Sequence, residues 1–147
     1  MTDFVFNVAK GRTAYYASLP AANDALIVVP LEATGLEGDA TLKDYDNLGA
    51  LLAGASNEQT TMGRKTLSTV TVTVDDANDW VDIDAADPVW SAATGNAVGA
   101  IVVCYDPDTT AGDDTTLIPL SKHDFAVTPN GGDITAVLAS GGFQRAS

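Results

Sequence analysis

The apolar positions of this chain follow two patterns. Residues 25–31, "ALIVVPL", are consecutively apolar and rich in β-branched side chains, as in a strand covered on both faces. Pro30 has no N–H to give a ladder, which places it at a strand end, an edge or a bulge. Residues 69–75, "TVTVTVD", alternate instead, with Val70, Val72 and Val74 on one face and threonines on the other. The "DAND" that follows reads as a turn, and "WVDIDA" as the return strand of a β-hairpin. Further strands are predicted at 98–106, 115–121, 124–129, 133–138 and 142–146, separated by Gly, Asn, Asp and Pro. The opening "FVFNVAKGRTAYYASLP" predicts a short strand, a turn near Gly11 and a second extended piece ending at Pro20.

One stretch has helical spacing. In "DATLKDYDNLGALLAG" the residues Leu42, Tyr45, Leu48, Leu51 and Leu52 recur on one face, Asp39 or Thr41 can cap the start, and Gly54 can stop the end. The expected fold is therefore mainly β: an antiparallel β-sandwich or small β-barrel with one short α-helix at about residues 41–53. No alternating helix–strand series suggests a doubly wound sheet. Residues 1–147 read as a single β-rich domain, with residues 1–20 as a possible extended N-terminal arm.

Charge narrows the function classes. Lys and Arg number 7 against 20 Asp and Glu, a net charge of -13, and the basic residues are scattered. Neutralising several phosphates needs a basic stripe, so nucleic acid is excluded as the main partner. The longest apolar runs are strand-sized, far short of the ~20 residues of a membrane-spanning helix, and the N-terminus lacks the basic and apolar regions of a secretory signal. No membrane association is expected, and synthesis is placed in a cytoplasm. The single cysteine, Cys104 in "AIVVCY", allows no intramolecular disulfide and reads as a buried small hydrophobe.

The most chemical-looking stretch is "YDPDTTAGDD" at 105–114. Counted from Asp106, an EF-hand would need an oxygen ligand at the fifth position, glycine at the sixth and Glu at the twelfth. Those places hold Thr110, Ala111 and Leu117. Two readings remain: an irregular Ca²⁺ site using Asp106, Asp108, Asp113 and Asp114, or a solvated connection between strands. A second acidic cluster runs from Asp75 to Asp87, and alternation puts Asp82 and Asp84 on one face. It reads as a solvent-facing strand, a cation site or a patch for a basic partner. His123 is the only histidine, so no ordinary zinc set forms within one chain. A Ser–His–Asp arrangement would have to use His123 beside Asp124, with no nucleophile-elbow motif. "NGGD" and "SGGF" are tight turns without the lysine of a phosphate loop. No catalytic residue and no cofactor are expected, and enzymatic function is not expected.

The phrases "MTDFVFNVAKGR" and "VVCYDPDTTAGDD…LIPLSKHDFAVTPNGGDITAVLASGGFQRAS" resemble a family of small structural proteins of tailed bacteriophages, especially phages of actinobacteria. The middle, "ALIVVPLEATGLEGDATLKDYDNLGALLAG", is similar more loosely. The resemblance implies a virion protein without catalytic residues. Charge and size then suggest a decoration or minor capsid protein on the outside of the head, bound to the major capsid protein or other virion structural proteins. Closed symmetry suggests a homo-oligomer, with a trimer on a local axis as the natural case. Phe4, Phe6, Tyr15 and Tyr16 are the interface candidates, docking on or adding a strand to a neighbour; the competing reading puts them in this domain's own core. The alternatives are a tail or neck subunit and a receptor- or glycan-binding module, the latter needing Trp80, Trp90 or Tyr16 uncovered.

Overall fold

The computed structural model describes residues 2–138 and 142–146. In chain order the elements are β1 (Phe4–Val5), α1 (Thr13–Ala17), β2 (Ala25–Glu32), α2 (Asp39–Leu42), α3 (Leu48–Ala53), β3 (Lys65–Thr66), β4 (Thr71–Asp75), β5 (Trp80–Asp84), β6 (Val89–Trp90), β7 (Val98–Asp106), β8 (Ile118–Val127), β9 (Ile134–Thr135) and β10 (Gln144–Ala146). A 3₁₀ turn at Asn7–Ala9 follows β1. The fold is mainly β, antiparallel and small-sandwich-like. One sheet has the order β1-β8-β7-β2-β3, a second the order β10-β5-β4, and β6 pairs with β9.

The centre is the β2–β7 pair, in register from Ala25 opposite Asp106 to Leu31 opposite Ala100. One face of this sheet carries Leu26, Val28, Ile101, Val103 and Tyr105, packed with Ile83 and Trp90 of the smaller sheets and with Phe143, which precedes β10. The other carries Ile27, Val29, Leu31, Val102 and Cys104, packed with Leu42, Leu48, Leu51 and Phe6. Being covered on both faces is why β2 is continuously apolar without alternation. Pro30 lies opposite Ile101 of β7, and its carbonyl takes the N–H of Gln59 at 2.8 Å. A strand residue turns its N and its carbonyl to the same side. The missing donor of Pro30 therefore faces the irregular 57–59 segment, where β3 has already ended.

The β4–β5 hairpin forms as the alternation predicts, from Thr71 opposite Asp84 to Asp75 opposite Trp80. Three other expectations are corrected. The single helix at 41–53 is two, because Asn47 caps a new start: its side chain accepts the N–H of Ala50 at 2.8 Å and separates α2 from α3. The extended piece before Pro20 is instead α1, which buries Thr13, Tyr16 and Ala17 at helical spacing. The strands expected at 115–121 and 124–129 are one strand, β8, running through Ser121, Lys122, His123 and Asp124. Within the fold the two glycines of the helical region have packing roles. A Cβ on Gly49 would sit 3.1 Å from Thr115, and one on Gly54 would be 2.7 Å from the carboxylate of Glu37. The turn expected at "SGGF" lies partly outside the described residues.

Candidate functional site

The acidic loop joins β7 to β8 and borders a cleft of about 420 Å³ that Arg64 also lines. Its carboxylates are occupied locally. Asp106 accepts the N–H of Asp108 at 3.0 Å, and Asp108 accepts both the N–H and the hydroxyl of Thr110. Asp113 takes the same pair from Thr115. These hydrogen bonds, first from the threonine hydroxyl and then from its amide, hold Asp108 and Asp113 below the usual carboxylate range. Asp114 faces Arg64 with both oxygens, at 2.6 and 2.9 Å, while the same guanidinium grips Glu58 at 2.9 and 2.6 Å. Hydrogen bonds from the Arg64 guanidinium to Glu58 and then Asp114 push its pKa further up. Among the described residues no three His, Cys, Asp or Glu side chains gather as a metal site.

The second cluster is likewise dispersed. Asp82 takes Arg145 Nε at 2.6 Å and Nη2 at 2.9 Å, and that guanidinium lies 3.7 Å from the ring centre of Trp80. Asp75 caps its own turn through the amide and side chain of Asn78, which lowers its pKa. Asp87 accepts the N–H of Leu138 at 2.7 Å.

The third cluster joins the N-terminal residues to β8, and sequence reasoning missed it. Strand β1 pairs with β8, Phe4 opposite Lys122 and Val5 opposite Ser121. Lys122 has no solvent exposure. Its Nζ donates to the Thr2 carbonyl at 3.1 Å, to Asp39 at 3.3 Å and to Asp124, and stands 5.7 Å from the centre of the Phe4 ring. Asp39 also accepts the Thr2 N–H at 2.7 Å; that bond, followed by the Lys122 ammonium, depresses its pKa. Asp3 accepts the N–H of Asp124 at 2.7 Å and faces His123 Nδ1 at 3.2 Å, while His123 Nε2 lies 2.9 Å from Ser121 Oγ. The Ser–His–Asp order does assemble, with Asp3 in the place expected for Asp124. Ser121 is only 1% exposed, beside a register shift of β8 against β7, whereas a nucleophile must meet a substrate carbonyl. What the relay visibly does is tie Asp3 to β8.

The interface candidates separate. Phe6 is fully buried in the helix-side core and Tyr16 lies against Tyr105 at 4.8 Å, so these two serve the domain itself. Phe4 is half-buried, its ring 5.2 Å from that of Phe6. Tyr15 stays 61% exposed. The N-terminal segment that read as an arm lies on its own sheet through β1 and the Phe6 N–H, which donates to Leu120 O at 3.0 Å. Trp90 is buried, with Nε1 donating to the Gly63 carbonyl at 2.8 Å, and Trp80 lies under Arg145. Of the aromatics named for a glycan platform, Trp90 and Tyr16 are buried and Trp80 is half-buried beneath Arg145. Burial pushes the Cys104 thiol far above its ordinary pKa.

No family model, no curated protein and no solved structure matches the chain.

Proposed function

We propose that this chain is a structural component of a tailed-bacteriophage virion, a decoration or minor capsid protein that binds the outer surface of the head lattice and reinforces it. The observation that carries the reading is the meeting of the N-terminal segment with β8. The two phrases that most resemble phage structural proteins are separated in the chain by residues 13–101, and in the fold parts of them become one unit: Thr2, Asp3 and Phe4 locked to Lys122, His123 and Asp124. Sequence likeness at these positions is then likeness of one built feature.

Charge supports the outer surface. Of the 7 basic residues, Arg64, Lys122 and Arg145 are spent on carboxylates of this same chain, leaving little positive surface for packaged DNA. The test is a phage carrying a stop codon in this gene. Heads should assemble and fill, then release DNA at a lower temperature or under milder osmotic shock than wild type, and purified protein should restore them. Normal heads with absent or detached tails would instead assign the chain to the neck or tail.

A further inference from the structure

The geometry points to a docking groove beside β1, β8 and β10 that takes an extended, basic-and-apolar segment of a neighbouring virion protein. The inference rests on the virion reading above. Two hollows, of about 200 and 160 Å³, share Asp3, His123 and Phe143 as a common wall. The larger is closed by Phe125 and Leu138 and bordered by Val137, which is 77% exposed; the smaller lies between β1 and β10.

Three independent features describe the occupant. First, Gln144 lines the smaller hollow with 6% exposure, and among the described residues its Oε1 has no hydrogen-bond partner. An unpaired buried acceptor costs about 1–3 kcal/mol, and turning this amide toward an incoming donor in the hollow would relieve it. Second, the rim carries Asp3 and Asp124, whose side chains are 60% and 41% exposed, while the one exposed cation among its described residues, Arg145, is already engaged by Asp82. Together with a net charge of -13 this favours a Lys- or Arg-bearing partner and opposes a second copy of the same chain. Third, β1 and β10 each end their sheets on either side of the hollow, so both edges can take backbone hydrogen bonds from an extended segment. Apolar walls for one side chain, an acceptor and carboxylates for a cationic neighbour, and two open edges define a short strand such as apolar-x-Lys.

The experiment places p-benzoylphenylalanine at position 137 in the groove and, separately, at position 74, where Val74 is 63% exposed on the distant β4 edge. Phage are grown with each variant, irradiated as purified virions and analysed by mass spectrometry. The expected result is a crosslink from position 137 to a segment of another virion protein in which Lys or Arg flanks an apolar residue, with little from position 74. Val137→Asp should lower the copies bound per virion by about ten-fold or more while leaving the melting temperature unchanged. Crosslinks from 137 to a second copy of this chain, or from 74 alone, would overturn the groove and leave the virion reading standing. Absence of the wild-type protein from purified virions would overturn both.

Discussion

Lys122 shows how one residue organises this fold. Its ammonium is out of water, while its partners Asp39 and Asp124 keep side-chain exposures of 26% and 41%. The two sides of the cluster should therefore respond unequally to mutation. Lys122→Met leaves carboxylates that water can reach and should cost about 1–2 kcal/mol. Asp39→Ala with Asp124→Ala strands a buried cation and should cost about 3–5 kcal/mol in urea unfolding. Equal losses would contradict this. The pH dependence has a fixed sign. The pKa of Asp39 is depressed in the fold, so its contribution is complete above the ordinary value near 3.8 and is lost as pH falls through the lower folded value. Asp39→Asn should flatten that acid limb. At Ser121 the account predicts a tether and no nucleophile: a fluorophosphonate probe should leave the native protein unlabelled, and a stoichiometric adduct on Ser121 would reopen the question of an enzyme.

At the scale of elements, the parts legible in sequence were those whose burial is decided locally. The continuous run of β2 and the alternation of β4 each state their environment without reference to distant residues. β8 reads as two strands because Lys122 and His123, with Ser121 and Asp124 beside them, interrupt its apolar pattern. Their polarity answers to Thr2, Asp3 and Asp39, which lie 83 to 121 positions away, and no local pattern carries that. The split between α2 and α3 was legible in principle, since Asn47 is a strong capping residue three positions before Ala50. The groove was not legible, because it joins β1, β8 and β10 only after folding. The acidic loop shows the reverse: a conspicuous sequence with local duties. Because its carboxylates are turned to Thr110, Thr115 and Arg64, EDTA should leave the melting temperature unchanged. A clear rise with added Ca²⁺ would contradict that assignment.

The whole molecule presents an acidic exterior around a sheet buried on both faces, with its N-terminal segment fastened to β8. Such a domain suits repeated display on a larger lattice: the core is self-sufficient and the charge opposes aggregation in solution. Binding then depends on a partner that supplies the opposite charge. That dependence predicts release from particles as ionic strength rises, since exposed charges more than ~10 Å apart are screened at 0.1 M salt. The most direct measurement is the number of copies per virion, obtained by quantitative mass spectrometry against the major capsid protein. The account predicts on the order of hundreds of copies, fixed in ratio to the lattice subunit as closed symmetry requires. A ring of about a dozen or fewer, confined to the neck or tail, would contradict it.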